Sequence, residues 1–185
     1  MTRNRTLTVT SVLALTFLVG GCSSYKSSGG AADAREHLEN EAKTTISRFR
    51  QSDLSMAGFF DTAYGYAVFP KVTKGAVGIG AAHGEGVVYE QGQVVGYTEL
   101  TQGTIGVQLG GQTYREIIFF QSEAVLNTFK QGNMEFSAQA SAVAAREGSS
   151  ADADFASGIA VFTLARGGLM FEASIGGQKF NYWPK

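Results

Sequence analysis

The fold is decided by the stretch Thr104-Ile105-Gly106-Val107-Gln108-Leu109-Gly110. Apolar residues alternate there with polar residues and glycine, which is the period-two pattern of a β-strand. Ile105, Val107 and Leu109 therefore share one face of the strand, and we expect that face to be buried. The opposite face carries Thr104, Gly106, Gln108 and Gly110, so half of its positions have no side chain.

Further strand patterns flank this stretch on both sides. We predict a strand at 64–69 that Pro70 closes, a long half-polar strand at 134–142, and further strands at 76–82, 85–89, 94–100, 114–120, 159–164, 169–175 and 180–183. Turns are expected at 91–93, 167–168 and 176–177. The chain has 24 glycines but only two prolines, so we expect glycines to mark bends, bulges and close backbone contacts of a strongly curved sheet.

Helical patterns occupy the start of the chain and one insertion. Apolar residues recur at helical spacing over 33–51, which predicts an amphipathic helix. Ser52 or Asp53 can cap a second short helix that carries Phe59 and Phe60. Ser122 can cap a third helix over 122–130. The predicted class is α+β: a mostly antiparallel, strongly curved, barrel-like sheet with an N-terminal amphipathic helix and one inserted helix.

The first residues follow the plan of a secretory leader. Arg3 and Arg5 precede an apolar segment over 7–19, and small residues then lead to Cys22, the only cysteine. Small residues followed by cysteine resemble the lipobox of bacterial lipoproteins, which implies cleavage after Gly21 and a lipid on Cys22. We therefore predict a signal peptide over 1–21, a flexible tether over 22–32 and a single domain over 33–185. The expected location is the cell envelope, and Ser23 after the cysteine resembles sorting to the outer membrane, facing the periplasm.

Composition narrows the function classes. Loss of Arg3 and Arg5 with the leader leaves 13 basic and 16 acidic residues, a net charge of −3. Without a strong basic field, we expect no nucleic-acid partner. A single cysteine excludes an intramolecular disulfide and a cysteine-based zinc site, and the chain shows no signature of a cofactor.

Enzyme signatures are weak. The glycines around Gly78 and Gly80 do not form a dinucleotide loop, and neither a phosphate-binding G-K-S/T motif nor a G-x-S-x-G elbow occurs. His83 and Glu85 could share one face of a strand and, with His37, form a metal site or serve a hydrolase. Ordinary surface histidines are the favoured interpretation. We expect no catalytic and no metal-binding residues.

The segment 69–75, FPKVTKG, sets two lysines beside apolar residues. Exposed lysines suit an anionic membrane surface, where each adds about 1 kcal/mol, but they also protect strand edges. With the glycines of 78–86, the stretch 100–112 and the closing residues 165–177, this segment resembles the SYLF family over residues 41–182. The resemblance implies a non-enzymatic domain that binds phosphoinositides or other anionic lipids in eukaryotic members, some of which also bind actin.

The resemblance assigns lipid contact to Lys71 and Lys74, and we add Phe69 of the same turn and Arg166. It also implies that the N-terminal helix matches a segment that helps eukaryotic members insert into membranes. Anionic lipid head groups are thus the expected partner, besides the membrane reached through Cys22. The alternative is an envelope protein-interaction module that uses a sheet edge or the face formed by Glu135, Ser137, Gln139 and Ser141. A hydrolase using His83 and Glu85 is the weaker alternative.

Overall fold

A computed structural model of the chain describes residues 28–132, 135–137, 143–144 and 154–185. The described helices are α1 (Ser28–Ser52), a short 3-10 helix (Leu54–Met56), α2 (Ala57–Thr62) and α3 (Glu123–Lys130). The described strands are β1 (Gly65–Glu90), β2 (Gln93–Phe120), β3 (Glu135–Ser137), β4 (Val143–Ala144) and β5 (Ile159–Pro184). The predicted α+β class with an N-terminal helix and an inserted helix is confirmed. The predicted leader, Cys22 and the first part of the tether lie outside the described residues.

One sheet contains all five strands. Its order is β1-β2-β5-β3, with antiparallel neighbours, and β4 pairs with β5 in parallel. The register of β1 and β2 runs from Gly65 opposite Phe120 to Glu90 opposite Gln93. The sheet is strongly curved, as predicted, but it does not close into a barrel.

The three long strands continue through positions where the sequence predicted breaks. Pro70 does not end β1, because it lies where the β1–β2 register shifts between Phe69 and Val72, so no ladder hydrogen bond is required of it. The glycine pairs at 167–168 and 176–177 also lie inside β5 and are not turns. The predicted turn after Glu90 is confirmed, with positive φ at Gln91 (48°) and Gly92 (78°). Of the predicted strand over 134–142, only Glu135–Ser137 is among the described residues.

β1 doubles back on itself. In a straight strand, residues 71 and 84 would lie about 43 Å apart. Instead, an ideal Cβ on Gly84 would sit 2.9 Å from the Lys71 carbonyl oxygen, and one on Gly86 would sit 2.8 Å from the Val68 carbonyl oxygen. The two halves of β1 therefore cross backbone to backbone at positions without a side chain, as the glycine content predicted.

The bend lies at the middle of the long strands. Gly78 has φ of +74° and falls at the register shift between Val77 and Ile79, a conformation that favours glycine. On the concave side the bend presents small buried residues, Ala76 and Ala82. They leave room for the two halves to approach.

An inner hydrophobic cluster fills the space between the two halves of the sheet. Phe69 of the first half lies with its ring centroid 5.9 Å from that of Phe180, which belongs to the second half. α3 closes one end of this cluster with Leu126 and Phe129, both fully buried. Ser122 caps α3 as predicted, since its Oγ accepts from the Val125 N–H at 3.4 Å.

An outer hydrophobic cluster lies beneath α1, the 3-10 helix and α2. α1 contributes Ala42 and Phe49, both fully buried against the sheet. Asp53 caps the 3-10 helix by accepting from the Ser55 N–H at 2.9 Å. Because α1 packs on the sheet, its apolar face is not available for the membrane insertion that the family resemblance implied. α1 also begins at Ser28, five residues before the predicted start, since 31–34 (AADA) favours helix, and this shortens the predicted tether.

A carboxyl group is enclosed in the polar part of the interior. Glu116 is 1 % exposed, and its Oε2 accepts from Gln178 Nε2 at 3.1 Å. Its Oε1 has no hydrogen-bond partner among the described residues. Burial raises the pKa of Glu116 to about 7, although the hydrogen bond from Gln178 acts in the opposite direction.

The close crossing of the β1 halves predicts a sharp contrast between two glycines of one strand. Gly86→Ala places a Cβ against the Val68 carbonyl oxygen and the Phe69 ring, and we expect it to lower the free energy of unfolding by about 1–3 kcal/mol. Gly75→Ala is the matched control, because nothing lies within 4 Å of its Cβ position. Denaturant unfolding of both variants tests this, and equal stabilities would contradict the backbone crossing.

The buried carboxyl predicts a pH-dependent stability. The folded-state pKa of Glu116 lies above its usual value, so the folded chain binds the proton more tightly and stability falls as pH rises from about 4.5 to about 7. Glu116→Gln keeps an acceptor for Gln178 and removes the charge. We expect it to raise the free energy of unfolding at pH 8 by about 1–3 kcal/mol and to flatten this part of the profile. Unfolding curves at several pH values measure both effects, and Glu85→Gln, at an exposed position, serves as control.

Candidate membrane-facing and anion-binding surface

The convex side of the bend exposes a group of large apolar side chains, here called the apex. It consists of Val77 (80 % exposed), Ile79 (73 %), Ile105 (72 %) and Leu109 (64 %). Val77 pairs with Leu109 and Ile79 pairs with Ile105, so the four residues lie in two adjacent cross-strand pairs. The prediction that the face of Ile105 and Leu109 is buried is therefore wrong. The side chain of Val107 lies outside the described part of the chain.

The curvature explains this exposure. Side chains on the convex face of a bent sheet splay apart, whereas those on the concave face converge. α1 and α2 cover the outer face elsewhere, but the apex is left uncovered among the described residues. Contiguous exposed apolar residues of this kind typically mark a protein–protein or membrane interaction site.

A pocket with basic residues lies next to the apex, here called the lysine pocket. It has a volume of about 450 Å³ and is lined by Lys71, Thr73, Lys74, Gly111, Gln112, Thr113 and Arg166. Gly111 pairs with Gly75, two residues before Val77 of the apex. The fold thus brings together the three basic residues predicted to contact lipid, Lys71, Lys74 and Arg166, although Arg166 is distant in sequence.

The predicted lipid-contacting residues differ in exposure. Lys71 is exposed on the outer face, and so is Arg166, whose Nη1 donates to the Pro70 carbonyl oxygen at 2.9 Å. Lys74 is only 5 % exposed, which corrects the expectation of two exposed lysines. Lys74 follows Lys71 by three positions, and this odd spacing puts the two side chains on opposite faces of β1. Phe69 is fully buried in the inner cluster and cannot touch a lipid in this fold.

A second pocket, the arginine pocket, lies between α1 and the sheet and shares Arg166 with the lysine pocket. It has a volume of about 360 Å³, and its charged lining residues are Arg48 of α1, Arg115 of β2, Arg166 of β5, His37 and Glu41. Partial burial lowers the pKa of Arg115, and the positive charges of Arg166 and Arg48 lower it further, whereas Glu41 raises it. Arg115 is thus partly buried, and it lies close to the guanidinium groups of two exposed residues, Arg48 and Arg166.

The residues proposed for a hydrolase lie in a third pocket of about 410 Å³ that includes His83, Glu85 and Lys71. His83 Nδ1 lies 3.3 Å from Glu99 Oε1, while His37 Nδ1 lies 3.7 Å from Glu41 Oε2. The two histidines thus face different carboxylates. Within the described residues, no group of three or more His, Cys, Asp or Glu side chains is placed to hold a metal ion.

Sequence reasoning missed two parts of this surface. Apolar residues alternate clearly in the sequence of the apex. This alternation does not show which face of the strand other elements cover. The arginine pocket is assembled from residues 48, 115 and 166, which share no local motif.

The alternative interaction face, formed by Glu135, Ser137, Gln139 and Ser141, lies largely outside the described residues. No described helix is both long and apolar enough to cross a bilayer.

Two comparisons with known proteins bear on this surface. Residues 101–181 match the family described as Ysc84, Las17-binding protein actin regulator. The matched segment includes Ile105 and Leu109 of the apex and Arg115 and Arg166 of the arginine pocket. Beta cell expansion factor A of Aeromonas veronii is 29 % identical over 155 residues, which cover 83 % of this chain and 58 % of that protein. The chain thus matches little more than half the length of this relative.

The two matches agree with the motifs read from the sequence. Together they confirm the predicted resemblance to the SYLF family, with a Ysc84-type match over residues 101–181.

Proposed function

We propose that this chain is an envelope lipoprotein, attached to a membrane through an acylated Cys22, whose SYLF domain docks on an anionic bilayer. The apex enters the interfacial region of the bilayer, and Lys71 and Arg166 contact lipid head groups. The function is binding, without a catalytic step. By the lipobox resemblance and Ser23, the membrane is the outer membrane and the domain faces the periplasm.

The observation that carries this proposal is the position of the apex beside exposed cations. Val77 and Ile79 follow Lys71 and Thr73 along the outer face of β1. An apolar patch alone would suit a protein partner as well as a lipid. Apolar side chains with adjacent lysine and arginine match the two layers of an anionic membrane, acyl chains below and charged head groups above.

Both the apolar and the basic side chains would contribute favourable free energy to membrane binding. Full burial of an aliphatic side chain contributes about 1.5–3 kcal/mol, and a basic residue near an anionic surface contributes about 1 kcal/mol. These contacts can hold the domain against the membrane to which Cys22 attaches the chain. One acyl chain gives only marginal anchoring, so a second contact adds to the time spent at the surface.

Charge reversal tests the head-group contact. The measurement is co-sedimentation of residues 23–185, which contain every described helix and strand, with neutral and anionic vesicles. We expect binding to anionic vesicles only, weakened by salt because salt screens exposed charges. Lys71→Glu is expected to weaken binding roughly tenfold. Lys43→Glu, exposed on α1, changes the net charge equally and should bind like the parent chain. Lys74→Glu is unsuitable, since it would place a carboxylate in the interior.

Removal of apolar surface tests the contact made by the apex. Ile79→Ser/Ile105→Ser is expected to lower the affinity for anionic vesicles roughly tenfold or more, and to leave the unfolding temperature nearly unchanged because both side chains are exposed. Leu54→Ser is the matched control: Leu54 is 80 % exposed but belongs to the 3-10 helix. The same vesicle assay serves here.

Two outcomes would overturn the proposal. Absence of binding to any vesicle would leave Cys22 as the membrane attachment and favour the protein-interaction alternative. Binding that resists salt and both sets of substitutions would show that another surface makes the contact.

A further inference from the structure

We infer that the arginine pocket is a binding site for a phosphate-type oxyanion with two negative charges, held between α1 and the sheet by Arg48, Arg115 and Arg166. The site shares Arg166 with the proposed head-group contact but does not include the apex or Lys71. The inference goes beyond membrane docking and does not depend on it, because the pocket can be tested without any lipid.

The three arginines come from three different elements, and no described carboxylate pairs with any of them. Arg166 donates to the Pro70 carbonyl oxygen, which leaves its positive charge uncompensated. Glu41 lines the same pocket, and its carboxylate oxygen Oε2 lies 3.7 Å from Nδ1 of His37. Like charges that lie close together repel one another, and a bound anion offsets that repulsion.

The charge count indicates the class of anion. The three arginines and Glu41 give the pocket lining two net positive charges. A carboxylate would neutralise one of them, whereas a phosphate monoester or inorganic phosphate carries about −1.5 to −2 at pH 7. Guanidinium groups present planar pairs of N–H donors that match phosphate oxygens, which makes arginine the preferred residue for such ligands.

The position of the pocket gives the anion a structural consequence. Arg48 belongs to α1, while Arg115 and Arg166 belong to the sheet, so a phosphate bound by all three would join the helix to the sheet. Without a bound anion, the three guanidinium groups repel one another. Binding of phosphate should therefore stabilise the fold specifically, since a ligand that binds the folded state shifts unfolding by mass action.

The test is thermal unfolding of residues 23–185 with inorganic phosphate, compared with chloride at equal ionic strength. We expect phosphate to raise the unfolding temperature of the parent chain. Arg48→Gln and Arg115→Gln should lose this increase, and without phosphate they should unfold at the parent temperature or above it, because repulsion is reduced. Lys43→Gln, also on α1, should keep the increase. A merely structural role for the arginines predicts lower unfolding temperatures in both variants and an unchanged phosphate effect.

Vesicles distinguish the source of the phosphate group. Phosphatidic acid presents a phosphate monoester, whereas phosphatidylglycerol presents only a diester. Preference for phosphatidic acid that Arg115→Gln abolishes would support the inference with a lipid head group as ligand. A phosphate effect on unfolding without that preference would support it with free phosphate as ligand. No phosphate effect relative to chloride, or an increase retained in both arginine variants, would overturn it, whatever the result for membrane docking.

Discussion

The close crossing of the two halves of β1 is the constraint on which the rest of this fold depends. Gly84 and Gly86 let the backbone of the second half approach Lys71 and Val68 of the first. Without that approach, the strands would extend as a long flat sheet whose inner face α3 alone could not cover. With it, the inner cluster closes on itself and Glu116 is shut away from water. The bend also creates the convex face on which the apex lies, so packing and the candidate site share one cause.

Local signals in the sequence predicted the helices, although α1 begins five residues before the expected start. The structure confirms the cap at Ser122 and the turn at Gln91–Gly92. Asp53, however, caps the 3-10 helix, and α2, which carries Phe59 and Phe60, begins without a side-chain cap. The bounds of the strands were harder to predict, because pairs of glycines occur both in tight turns and within one continuous, bent strand. At 176–177 the chain continues in register with β2, whereas 167–168 lies beside a register shift of one residue. Only the pairing with β2 distinguishes a continuous strand from a turn. Fold class was thus predictable, but strand length was not.

The candidate site shows the same division. Period two correctly placed Ile105 and Leu109 on one face, yet which face is covered depends on how the sheet bends and where α1 lies. The spacing of Lys71 and Lys74 already implied opposite faces of a strand, and the structure accordingly buries one of them. Arg48, Arg115 and Arg166 share no spacing at all. Their proximity follows from α1 packing over the Pro70 bulge, which is a tertiary effect with no local signature.

The charge distribution gives the proposed docking a direction. The chain as a whole carries a net charge of −1, so most of its surface gains nothing from an anionic bilayer. Lys71 and Arg166 are exceptions, and they lie beside the apex. Because the chain is acidic overall, an anionic bilayer would repel it in most orientations. The bilayer would attract it in the orientation that presents the apex, Lys71 and Arg166. The apolar contacts would then supply most of the affinity, since they persist at high salt, while the charges select the orientation. Phosphate binding in the arginine pocket, set back between α1 and the sheet, would add chemical selectivity to a contact that otherwise recognises only charge.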